Sequence, residues 1–113
     1  MNAAHRIAGA VVLAIVVATV GASSATRAEP DGATRQRLVH LLVQDCGSCH
    51  GLTMQGGLGK PLLPETLADR SADILSEIIL DGIPGTPMPP WRGQLSKDDA
   101  LFLAETLKAG LRP

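Results

Sequence analysis

Apolar positions along the chain fall into separate groups, and each group has its own spacing. Residues 7–22 form a run of 16 without a single charge. Between Ala33 and Asp45, Leu38, Leu41 and Leu42 recur at i, i+3 and i+4, which predicts one face of a helix running directly into Cys46. Asp31 or Gly32 can start it. From Ser71 onward the pairs Ile74/Ile78 and Leu75/Ile79 stand at i, i+4, with Ser71 as the cap and Gly82 in the usual C-terminal glycine position. A last helix opens at Ser96, carries Asp98 and Asp99 in its first turn and Lys108 in its last, and stops at Gly110. Both charge placements suit the helix dipole. No stretch alternates apolar and polar residues as a half-buried strand does, so the pattern predicts an all-α fold of three main helices.

The segments between these helices are loops for stated reasons. Gly51 to Pro64 contains Gly56, Gly57, Gly59, Pro61 and Pro64, too many breakers for regular structure. Gly85-Thr86-Pro87-Met88-Pro89-Pro90-Trp91 has proline at three of its seven positions, which forbids a helix or a central strand and leaves a stiff loop around one methionine.

The uncharged run near the start changes the picture of where the protein works. Met1 to Arg6 carries one arginine, and Ser23 to Ala28 is small and polar, which is the order of a secretory signal. As a helix the run reaches only about 24 Å, short of the roughly 30 Å hydrocarbon core, so an uncleaved N-terminal anchor is the weaker reading. Cleavage is expected after Ala28, with Ala25 as the alternative site. Residues 1–28 then form the signal and residues 29–113 one small domain of 85 residues. Arg6 and Arg27 leave with the signal, so 8 basic residues face 11 acidic ones and the net charge becomes −3. No basic stripe offers itself to nucleic acid, and the acidic residues are spread rather than gathered in a tail.

A domain this small has a marginal core. Its only aromatics are Trp91 and Phe102. Cys46-Gly47-Ser48-Cys49-His50 supplies what is missing, because C-x-x-C-H is the spacing of a haem-attachment site. Cys46 and Cys49 can each add to one vinyl group of a porphyrin, and His50 then falls under the iron as an axial ligand. A buried porphyrin would be the largest apolar object in the domain, and its binding free energy becomes folding free energy. Three other readings exist. A redox C-x-x-C pair needs a βαβ context that the flanking helical patterns do not give. Zinc needs four ligands, and beyond this motif only the remote His40 and His5 are on offer. A plain disulfide has no use for the histidine.

Met88 is the expected second ligand. A thioether opposite a histidine raises the haem potential, and prolines on both sides fix the loop without adding backbone donors beside the iron. A lone methionine is more often core filler, but the proline clamp and the 38-residue separation from His50 favour ligation here. Met54, only four residues past His50, is too near to cross the ring and reads as a loop residue at the haem edge.

Cys46 to His50, Met88-Pro89, and Leu95-Ser96 before an acidic, apolar terminal helix make residues 33–111 resemble a small class I cytochrome c. More narrowly, Asp45 to Leu52, Gly56-Gly57-Leu58-Gly59 and Gly85 to Trp91 are similar to the periplasmic NirC-like (55x) cytochromes encoded beside cd1-type nitrite reductase in denitrifying bacteria. The resemblance implies one covalent haem c wrapped by loops, attachment outside the cytoplasm, and single-electron transfer to that reductase or a part in completing its d1-type haem. It implies redox protein partners, a monomer, no enzyme activity and no membrane association after signal cleavage. Two positions depart from the family. A small residue eight places before the first cysteine commonly meets an aromatic on the terminal helix; here Leu38 and Thr106 hold those places, an exchange that keeps the volume roughly constant. The family also sets a proline carbonyl against the axial histidine, and Gly59-Lys60-Pro61 is one residue longer than the usual pair. Either Lys60 or Pro61 could supply the carbonyl.

Overall fold

The computed structural model describes residues 27–111, and the apolar run at 7–22 lies outside them. The described residues are helical with no strand. Asp31 accepts the Thr34 amide at 2.9 Å and starts α1 (Gly32–Leu41), as its short carboxylate allows at a first turn. The helix does not end at the cysteines. It widens through one π turn, Leu42–Cys46, and resumes as α2 (Gly47–His50). The extra residue in that turn shifts the phase of everything after it by about 100° relative to α1. Leu38 and Leu42 are fully buried before the shift, while Cys46 and Cys49 are half-exposed after it.

Beyond the glycine-rich loop, Pro64–Leu67 makes a single 3-10 turn that the residue spacing did not predict. Thr66 explains it: its hydroxyl accepts the Leu63 amide at 3.0 Å, satisfying a donor at the start of the turn. Helix α3 (Ala72–Asp81) is capped by Ser71, and α4 (Lys97–Ala109) by Ser96, whose hydroxyl and Asp99 carboxylate exchange hydrogen bonds with each other's backbone amides. Gly82 ends α3 at φ 65, ψ −170, outside the left-handed helical region and essentially reserved for glycine. Lys108 does more than meet the α4 dipole: its ammonium donates to the carbonyls of Leu67 and Arg70, tying the last turn of α4 to the end of the 3-10 turn.

The core forms where α1, α3 and α4 meet, from Leu38, Leu42, Leu67, Leu75, Leu80, Leu95, Phe102, Leu103 and Leu107. Leu38 has no exposed surface. The aromatic is not lost but sits one turn earlier than the family place, at Phe102, with the Arg35 guanidinium 5.3 Å from its ring centre; Thr106, on the same face, is half-buried and donates to the Phe102 carbonyl. Among the described residues no helix is long and apolar enough to cross a membrane.

Candidate haem site

Cys46, Cys49 and His50 are brought together by one continuous helical rod, and the chain leaves that rod sharply. Gly51 turns it at φ 87, where a side chain would collide with the Gly56 carbonyl. The loop then folds back on the rod. Gly59 N–H donates to the Cys49 carbonyl and Gly56 N–H to the His50 carbonyl, both at 2.8 Å, so the open acceptors at the helix end are closed by the loop's own backbone. Such close return needs bare glycine. A Cβ on Gly57 would stand 2.8 Å from the Cys49 oxygen, and one on Gly59 would stand 2.6 Å from two atoms of the His50 ring.

This wrapping orients the imidazole. His50 Nδ1 lies 2.7 Å from the Lys60 carbonyl. A carbonyl can only accept, so Nδ1 carries the proton and the Nε2 lone pair is left for a metal. Lys60, and not Pro61, therefore supplies the carbonyl; the Pro61 oxygen faces the Thr66 hydroxyl at 3.0 Å instead. Gly59 and the Lys60 backbone are functional positions that the motif alone did not single out, and the glycine spacing after His50 was their signal.

Cys46 and Cys49 are free thiols, not a disulfide. Before haem is attached, burial pushes the Cys46 thiol up to about 11, with the neighbouring Asp45 carboxylate adding to the effect. Among the described residues no three His, Cys, Asp or Glu side chains are grouped to hold a cation, and His5 lies outside them.

Met54 lies in the loop, as expected from its place after His50, but its side chain is 1% exposed and belongs to the core. Its backbone is pinned at φ 61, with its amide donating to Gly51 and its carbonyl accepting from Leu62, both at 2.9 Å. The exposed apolar side chains flanking the motif reduce to Leu52 and Leu58.

Met88 stands apart from the rod, half-buried on the loop between α3 and α4. The loop begins with a tight turn in which the Thr86 amide reaches the Ile83 carbonyl at 3.1 Å across Pro84 and Gly85, the latter at φ 76 as a type II turn requires. The Thr86 hydroxyl donates to the same carbonyl at 2.7 Å and accepts from the Met88 amide at 3.3 Å. Met88 returns its own carbonyl to the Ile83 amide at 3.2 Å.

One oriented imidazole with two free thiols on its own helix suits a covalently attached haem iron. The family model described as cytochrome C oxidase, cbb3-type, subunit III matches residues 33–105. Cytochrome c55X of Paracoccus denitrificans (strain Pd 1222) is 52% identical over 86 residues, covering 76% of this chain and 84% of that protein. This chain belongs to the cytochrome c55X family of c-type cytochromes. The solved c-type cytochrome NirC superimposes with a TM-score of 0.69 at 51% identity, over 71% of this chain and 94% of that one. A second structure, the dihydro-heme d1 dehydrogenase NirN in complex with DHE, matches at TM-score 0.60 and 36% identity over 66% of this chain, which corresponds to 16% of that protein. The cytochrome therefore carries covalently bound haem c, one group for its size, and is an electron carrier rather than an enzyme.

Proposed function

We propose that this cytochrome is exported as a signal-bearing precursor, works in the periplasm, and delivers single electrons to a cd1-type nitrite reductase. In this reading Cys46 and Cys49 hold the haem, and His50 and Met88 are its axial ligands. Haem iron supplies a one-electron change between its ferrous and ferric states. The chain's contribution is to keep that change free of side chemistry. The Lys60 carbonyl holds the Nδ1 proton and fixes the ring plane, the Gly57–Gly59 backbone seals the rod's end against water, and the proline-framed loop presents a neutral thioether that favours the reduced state. The observation that carries the reading is the His50 geometry: an imidazole aimed by a backbone carbonyl, one residue past two free thiols.

Docking would use Leu52 and Leu58, both exposed, with charges of both signs elsewhere, so association should depend only weakly on salt. The test mixes the reduced protein with that nitrite reductase and follows haem oxidation on adding nitrite. Rapid oxidation that survives raised salt supports the carrier. A second reading, a redox partner in d1-type haem maturation, is favoured by the likeness to part of NirN. Slow electron transfer, together with a reductase that lacks its d1-type haem when the gene is deleted, would choose that role instead.

A further inference from the structure

Nothing in the ligation reading uses the ion cluster at the two ends of the Met88 loop. Asp81 is the last residue of α3 before the loop, and Arg92 follows Trp91 where the loop ends. Arg92 Nε and Nη2 converge on Asp81 Oδ1 at 2.9 and 2.6 Å, and Nη2 also reaches Glu77 Oε2 at 3.1 Å. Lys97, in the first turn of α4, approaches the other Glu77 oxygen at 3.1 Å. Beneath the side chains, the Arg92 and Trp91 amides both donate to the Leu80 carbonyl at 3.0 Å.

We propose that Arg92 is a positioning residue that latches the base of the Met88 loop and thereby sets how readily Met88 gives way to a competing ligand. The proposal rests on Met88 being the sixth ligand. The physical argument concerns where the loop can move. Its middle is stiffened by prolines and its tip by the Ile83–Thr86 turn, so displacement of the thioether must pivot at the ends. The end at Gly82 is locked, because even a Cβ there would strike Pro89, Pro90 and the Met88 carbonyl at 2.7–2.8 Å. The end at Arg92 is held by the backbone bonds to Leu80 and, over them, by the ion cluster, the one part of the anchorage that charge supplies.

A single exposed ion pair contributes little, but one guanidinium shared by two carboxylates, with Lys97 on one of them, is a network. Its partners register the shared charge. Hydrogen bonds from Lys97 and Arg92 hold the Glu77 carboxyl below its ordinary value, and the bonds that Arg92 donates to Asp81 and Glu77 raise its own. Since all three residues are solvent-facing, the latch is sensitive to salt, unlike the backbone bonds around His50.

The experiment titrates oxidised holoprotein with imidazole and follows the weak near-infrared sulfur-to-iron band. R92Q and D81N should keep the band without imidazole and bind imidazole about fivefold more tightly than the wild type, on the scale of a small exposed charge network. K97Q, which leaves the Arg92–Asp81 contact intact, should change affinity by less than about twofold. Raising salt to about 0.5 M, where screening acts over roughly 4 Å, should move the wild type toward R92Q and leave R92Q itself unmoved. Wild-type imidazole affinity in both R92Q and D81N would overturn the latch, even if their unfolding midpoints fall, because a merely structural role lowers stability without easing Met88 displacement. A wild type that lacks the band would overturn the Met88 reading first and the latch with it.

Discussion

The two ends of the predicted coordination axis are built by different means. His50 sits on a helical rod, is oriented by a 2.7 Å bond to the Lys60 carbonyl, and is backed by Gly59, where a side chain would run into the ring. Met88 sits on a loop whose internal backbone bonds are longer, 3.1 Å from Thr86 to Ile83 and 3.2 Å from Ile83 to Met88, and whose base adds a surface ion cluster to two 3.0 Å backbone bonds to Leu80. The histidine side is made of short neutral contacts that salt does not reach. The methionine side is made of proline stiffness and exposed ions. The difference teaches where the site should yield: ligand loss belongs to the Met88 side, while damage to the His50 side should undo the whole fold.

The sharpest way to break the comparison is Gly59→Ala. Its Cβ would stand 2.6 Å from His50 Nδ1 and Cε1, and the ring cannot retreat without losing the Lys60 carbonyl. Overpacking of this kind costs roughly 3 kcal/mol. Here it also misdirects Nε2, so little haem-loaded protein should accumulate, as judged by haem absorbance per polypeptide. Normal loading with an unchanged spectrum would mean that the ring is not held as tightly as described.

Gly82→Ala probes the other side. The substitution forces a side chain into φ 65, ψ −170 and against the Pro89–Pro90 backbone, at a cost of about 2 kcal/mol. Denaturant unfolding should show that loss. Because the strain falls on the loop base, haem should stay attached and the sulfur-to-iron band should weaken before the protein unfolds. If Gly82→Ala instead blocks haem loading as Gly59→Ala does, the two sides are not separable.

How much of this was legible in the residues differs between the same two regions. The helices were readable because their caps are local: Ser71, Ser96 and Asp31 each bond an amide three residues on, and three-residue relations can be read from spacing. The motif was readable because C-x-x-C-H is itself a short-range pattern. The π turn was not, since Leu38, Leu41 and Leu42 fit an ordinary helix and no residue type at Leu42–Cys46 marks the widening. The burial of Met54 was not legible for a related reason. Its neighbours Gly51, Thr53 and Gln55 signal a surface loop, yet two backbone bonds turn this one side chain inward to the core. The family resemblance narrowed the carbonyl to Lys60 or Pro61 and the structure chose Lys60, whereas Arg92 acts through a contact 11 residues away that nothing periodic marks.

The export reading also has a physical consequence within the described residues. Arg27 lies 3.1 Å from Glu105 on α4, a contact that cleavage after Ala25 would keep and cleavage after Ala28 would remove. It is an exposed pair and adds little to stability either way.

The most direct measurement of the axis is the near-infrared spectrum of the oxidised wild type beside Met54→Leu and Met88→Leu. A sulfur-to-iron band present in the wild type and in Met54→Leu, and absent from Met88→Leu, is the result that the proposed ligation predicts, since Met54 is in the core. A band that survives in Met88→Leu, or that vanishes in a folded Met54→Leu, would contradict the assignment of the two sides.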